Sequence, residues 1–145
     1  MAWNAGITEE RDVLVLPAKA DGAIDPYRIV VAGTDANEVA EASVATVYPL
    51  GVSGDGSENN KGTYADGDSV NVKYSGIVKL KMSSTGFRHD RVVATTDGKG
   101  TRHAISTEGV WIFGIAMEAW TDGQIIPVLI NRYLIMDTES LAESI

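Results

Sequence analysis

The side chains able to do acid–base, nucleophilic or metal chemistry are few in this sequence, and their spacing keeps them apart. General acid–base catalysis needs a histidine, or a carboxylate with a displaced pKa, converging with partners on one pocket. The histidines are His89 and His103 alone. His89 lies in Phe87-Arg-His-Asp-Arg, a polar stretch that reads as a solvated loop, and His103 in Thr101-Arg-His-Ala-Ile, where it reads as pointing to solvent from a strand. Cysteine is absent, which removes thiol nucleophiles, thiolate metal sites and disulfides together. Carboxylates pair at Asp66 and Asp68 and at Glu9 and Glu10, but a turn or an exposed arm does not supply the burial that raises a carboxyl pKa. Asp55-Gly-Ser-Glu-Asn-Asn has oxygen ligands but neither the spaced Asp framework of a calcium loop nor its closing glutamate. Asp97-Gly-Lys-Gly-Thr lacks the spacing and the following helix of a phosphate loop and reads as a hairpin turn. The inventory predicts no enzyme, no catalytic residue, no metal site and no cofactor.

What has to be positioned is therefore a surface, and the elements that position it are strands. From Ser69 to Met82 the chain alternates, with Val70, Val72, Tyr74, Val78, Leu80 and Met82 on one face and Asn71, Lys73, Ser75, Lys79 and Lys81 on the other. Ile77 is the apolar exception on the polar face. Gly76 interrupts the apolar face midway, and a glycine there marks a bulge or bend of the kind that curls a sheet into a barrel. Further strands are expected at 13–16, closed by Pro17, at 27–32, closed by Gly33, and at 44–52, 91–96, 110–117 and 125–135. Turn signals at Ala20-Asp-Gly, Ser53-Gly-Asp-Gly, Ala65-Asp-Gly-Asp, Thr96-Asp-Gly-Lys-Gly and Thr121-Asp-Gly separate them. Helix is confined to one or two turns, at 35–42 and 138–144. The expected fold is all-β, a small barrel or a compact sandwich, with an extended N-terminal arm at 1–12 and a single domain at 13–145.

Composition agrees with that plan. The 145 residues are 44% hydrophobic and 22% charged, and a chain of this length buries roughly 70% of its unfolded surface, enough to fold without staples. The first residues have no basic segment followed by an apolar run, and no stretch approaches the roughly 18 apolar residues of a membrane span. A net charge of −8 with scattered basic residues repels phosphate backbones, so neither nucleic acid nor membrane is an expected partner. Acidity of this kind serves solubility.

An internal repeat shows when Tyr64-Ala-Asp-Gly-Asp-Ser-Val-Asn-Val-Lys-Tyr is laid over Trp120-Thr-Asp-Gly-Gln-Ile-Ile-Pro-Val-Leu-Ile. Leu50-Gly-Val-Ser precedes the first copy and Phe113-Gly-Ile-Ala the second, so the repeat occupies about 50–78 and 113–135, with a polar insertion at 54–62. Trp111, in Val110-Trp-Ile-Phe, reads as core. Trp3 has no periodic partner, and an aromatic on a terminal arm is suited to anchoring on another protein.

The order of these weak elements carries a resemblance. Leu-Gly-Val, a small-residue stretch, Gly-Asp-Ser-Val-Asn-Val, a strand with Ser-Gly-Ile, then Phe-Gly-Ile-Ala-Met-Glu-Ala and Gly-Gln-Ile-Ile-Pro-Val-Leu-Ile resemble the small capsid decoration, or cement, proteins of tailed phages, over about 27–130. The polar insertion, and Asn131-Arg-Tyr where the first copy has Ser-Gly-Ile, depart from the pattern. The resemblance implies a non-enzymatic structural protein, made in the host cytoplasm, that sits on the outer capsid surface of the virion and stabilises the shell. It implies two partners, the major capsid protein and further copies of this chain, as a homotrimer or a dimer. The arm residues Ala2, Trp3, Asn4, Ile7 and Arg11 are the expected capsid contacts. The competing reading is a non-catalytic ligand- or carbohydrate-binding module using Trp120 and Tyr64 as a platform. It requires both rings exposed side by side on a flat face.

Overall fold

The computed structural model describes residues 10–56, 62–103 and 109–136. Its strands among the described residues are β1 (Arg11–Ala20), β2 (Ile29–Ala32), β3 (Glu38–Glu41), β4 (Gly51–Ser53), β5 (Ser69–Lys81), β6 (Arg91–Ala94), β7 (Gly100–Arg102), β8 (Trp111–Ala116) and β9 (Ile125–Leu134), with a 3-10 turn at Thr96–Gly98. The fold is all-β, as composition and periodicity predict.

β5 follows its alternation. Val70, Val72, Val78 and Leu80 are buried, as is Met82 just beyond the strand, while Asn71 and the lysines lie on the wetter face. Gly76 sits at φ +91°, open to glycine at little cost, and β1 bulges opposite it: Arg11 pairs with Ile77 but Leu14 with Ser75. A Cβ at position 76 would run into the carbonyl oxygens of Arg11 and Asp12. The bend falls where the sequence placed it.

The pairings close the sheet on itself twice. β1 pairs with β3, β3 with β2, β2 with β4, β4 with β5, and β5 returns to β1, which makes a first ring. From β5 the sheet continues through β9, β8, β6 and β7, and the bridge between Met82 and Gly100 returns it to the end of β5, which makes a second. β5 is long because it serves both rings: its N-terminal half pairs with β1 and β4, its C-terminal half with β9.

The two rings use one register. Lys19 pairs with Ser69 as Lys81 pairs with Ile125; Ile29 with Val52 as Arg91 with Ile115; Ala32 with Val39 as Ala94 with Gly100; and Ile24 bridges Tyr64 as Gly86 bridges Trp120. Each ring encloses its own apolar cluster. Ala18, Ala20, Ile24, Val30, Val39, Tyr64, Val70 and Val72 fill the first; Leu80, Met82, Val92, Phe113, Trp120, Ile126 and Val128 lie in the second. Volume is traded between equivalent positions. Ring one packs Ile24 against Tyr64 and Ala20 near Val39, whereas ring two has Gly86 with Trp120 and Met82 with Gly100. Close packing at native density demands such exchanges.

Some local expectations change. Residues 35–42 hold no helix: a turn leads into β3, which runs between β2 and the end of β1 and points only Val39 fully inward. Its helix-favouring Ala and Glu yield to tertiary pairing. The strand expected at 44–52 is confined to β4, and residues 43–50 form a loop with Val44, Val47 and Tyr48 exposed. β1 does not stop at Pro17 but passes through it to Ala20. β7, the strand expected to carry His103, ends at Arg102, one residue short of it. The candidate helix at 138–144 lies outside the described residues.

Candidate interaction surface

The residues with chemical potential are dispersed by this scaffold. His89 occupies a turn at φ +73°, exposed. Asp66 and Asp68 do turn work: Asp66 Oδ1 accepts from Gly22 N–H at 2.9 Å and Asp68 Oδ2 from Ala65 N–H at 2.9 Å. Asp122 and Gln124 repeat both bonds in ring two, to Ser84 and Thr121. Glu9 and residues 57–61 of the polar insertion lie outside the described residues. Among the described residues no three His, Asp or Glu gather as a metal site. An open depression of about 340 Å³ lined by Tyr27, Lys79, Glu118, Ile125 and Pro127 brings no nucleophile and base together.

His103 corrects its expectation. It follows β7 and is half-buried, and its Nε2 is buried without a hydrogen-bond partner among the described residues. Burial, then the charge of Arg91, holds its pKa below 6.5. A base whose folded pKa is depressed contributes stability above its unfolded pKa and loses it as pH falls. The urea midpoint should therefore drop between about pH 7.5 and 5.5, and His103→Gln should flatten that drop; an equal drop in the variant would remove the assignment. Glu41 acts oppositely and lower. Burial raises its carboxyl above 4.5 although Asp25 N–H donates to Oε2 at 2.6 Å, so its contribution grows as pH falls toward 4.5.

The aromatic platform does not form. Trp120 is 2% and Tyr64 4% exposed, and each is buried in a different ring. Trp120 Nε1–H donates to Ser83 O at 3.1 Å, and Tyr64 OH accepts from Gly56 N–H at 3.1 Å. Trp111, expected in the core, is only half-buried and meets Tyr48 edge-on at 4.8 Å, with the Arg132 guanidinium over the Tyr48 ring.

Of the expected contact residues, Ala2, Trp3, Asn4 and Ile7 lie outside the described residues, and Arg11 is the exposed first residue of β1. The chain entering β1 is well defined. Both oxygens of Glu10 accept from Lys73 Nζ, at 2.7 and 2.8 Å, and Oε2 also accepts from Lys79 N–H at 3.2 Å, so a half-buried ion pair clamps the chain to β5 just before β1 begins. Next to this clamp Leu14, Val15 and Leu16 are 53%, 49% and 48% exposed. β3 pairs only with Lys19 and Ala20, which leaves that edge of β1 open along the apolar stretch. The strand expected at 13–16 is present, but its apolar residues are exposed. The signal for its exposure was the absence of alternation in Val13-Leu-Val-Leu, which puts apolar groups on both faces.

No protein-family model matches this chain, and no curated protein matches it. Among solved structures, the crystal structure of the head fiber gp8.5 N base in bacteriophage phi29 is similar, with a TM-score of 0.63 at 20% identity. The two share a fold. The likeness covers 86% of this chain and 99% of that one, so it takes in both rings rather than a local motif. This structural neighbour is a phage head-fiber protein, in keeping with the sequence resemblance to phage capsid decoration proteins.

Proposed function

We propose that this chain is a non-enzymatic structural protein of a virion, which binds the outer surface of a capsid and stabilises the assembled shell. The observation that carries the reading is the fold shared over nearly the whole phi29 head-fiber N base, reached independently of the sequence resemblance. The site supports it in a second way: the chain offers an exposed apolar strand beside a clamped arm root, and its titratable groups are scattered. A ligand that binds only the assembled shell stabilises it by mass action, and several copies linked together add their contacts through effective concentration. The major capsid protein is the partner, and self-association supplies the multivalency.

Electron cryo-microscopy of virions carrying this chain tests the proposal. Density of this size at symmetry-related positions outside the shell is expected; a bare shell would sink it. Deleting residues 2–9 leaves Glu10 and β1 in the chain and should sharply reduce shell occupancy, because it removes Ala2, Trp3, Asn4 and Ile7, four of the five expected capsid contacts. Occupancy equal to that of the full chain would remove the arm from the contact.

A further inference from the structure

The contact between the two rings has an unused half at each end of the molecule. On ring one the outward-facing Ile29 and Val52, and Ala42 just after β3, are at most 1% exposed and join Val78 of ring two in one buried cluster. The 3-10 turn completes this cover: Gly98 N–H donates to Ala42 O at 2.8 Å, and Arg28 Nη1–H to Asp97 O at 2.9 Å. Ring one thus presents a socket, and ring two a plug made of Val78 and the turn.

The common register identifies the equivalent positions. Ring two's socket consists of Arg91, His103 and Ile115, since His103 N–H donates to Arg91 O as Ala42 N–H does to Ile29 O, with Leu129 where ring one has Lys73. Arg91, His103 and Ile115 are half-buried rather than covered, Leu129 is 37% exposed, and His103 Nε2 is buried without a hydrogen-bond partner among the described residues. Ring one's plug is Leu16, the counterpart of Val78, with the exposed loop at 34–37 that precedes β3 as the 3-10 turn precedes β7. Leu16 is 48% exposed where Val78 is fully buried. Charge runs the same way, with Arg91 in the socket and Asp35 in the plug loop, while Arg102 near the socket is already paired with Asp90 at 3.2 Å.

We propose that a second copy of this chain seats its ring-one plug, Leu16 and the 34–37 loop, on the ring-two socket of the first, repeating between chains the contact already made within one. Stacked repeats bury only what their neighbours cover, and an uncapped end takes another unit. The contact is one-sided, so it closes into a small ring when the rotation permits and otherwise extends. This deepens the proposed virion role, on which it rests for its purpose, by naming the surface through which copies associate.

Sedimentation velocity of the full chain from micromolar to near-millimolar concentration tests it, with Leu16→Asp for the plug and Leu129→Asp for the socket, both exposed sites whose folding circular dichroism checks. The wild type should associate with rising concentration, and each variant should weaken association at least about tenfold. An equal mixture of the two variants should form a dimer and stop there, because one intact plug and one intact socket remain. A wild type monomeric throughout overturns the inference, as does a mixture that behaves like its components, which would mean a two-fold contact. A monomeric wild type whose Leu129→Asp variant leaves the shell would give the socket to the capsid and keep the proposed function; association by this route with bare virions would do the reverse.

Discussion

Gly86→Ile should cost the fold about 3 kcal/mol or more in urea denaturation, although it copies the residue that ring one uses at the same place. The backbone at position 86 lies against the face of the Trp120 indole, and a Cβ there would overlap Cη2, Cζ2 and Cζ3. Neither side has room to give. The indole is 2% exposed and tied by Nε1–H to Ser83 O, and Gly86 and Trp120 exchange backbone hydrogen bonds at 3.1 Å in both directions. The double variant Gly86→Ile, Trp120→Tyr transplants the ring-one pair, and it should recover more than half of the loss. A double variant as unstable as the single one would show that the two sites are not exchanging volume.

Phe113→Ala should cost about 3–5 kcal/mol, the range for emptying a buried aromatic site. Phe113 is fully buried within the ring-two cluster on β8, between neighbours on β6 and β9 that are themselves ladder-bonded and unable to collapse into the space. Its counterpart Leu50 only borders the ring-one cluster, so Leu50→Ala should cost distinctly less. Thermal or urea unfolding of the two variants side by side measures the difference. Equal losses would contradict the unequal filling of the rings.

The parts of this fold legible in the sequence were those where one strand has a wet and a dry face over many residues. β5 is the best case, because thirteen residues of alternation and one misplaced glycine leave little choice of register or bend. β3 was not legible. Four residues long, it is a strand because its neighbours complete the ladder, and Glu38-Val-Ala-Glu carries a helical preference that long-range pairing overrides. Residues 43–50 misled in the other direction, since β-branched content reads as strand whether the chain is paired or merely laid over Trp111 and Arg132. The repeat was visible only in its second half. Its first half trades residue against residue, Ala20 and Ile24 for Met82 and Gly86, so structural equivalence leaves almost no identity to align. The shared strand hides it further, because the C-terminal half of β5 plays in ring two the part β1 plays in ring one.

Of the candidate surface, a strand at 13–16 was legible but the exposure of Leu14-Val-Leu was not, because apolar sequence does not say which neighbour is missing. His103 was misplaced for the converse reason. Its neighbours Arg102 and Thr101 are polar, yet the face it lands on corresponds to the apolar junction of ring one.

Sharing β5 also means that the molecule has no seam. Cutting the chain anywhere between the rings leaves one of them a stave short: ring one without β5 loses the neighbour of both β1 and β4, and ring two without it loses the neighbour of β9 and its closing bridge. A molecule built this way has no hinge between its two halves, and load applied at one end reaches the other through a single continuous backbone.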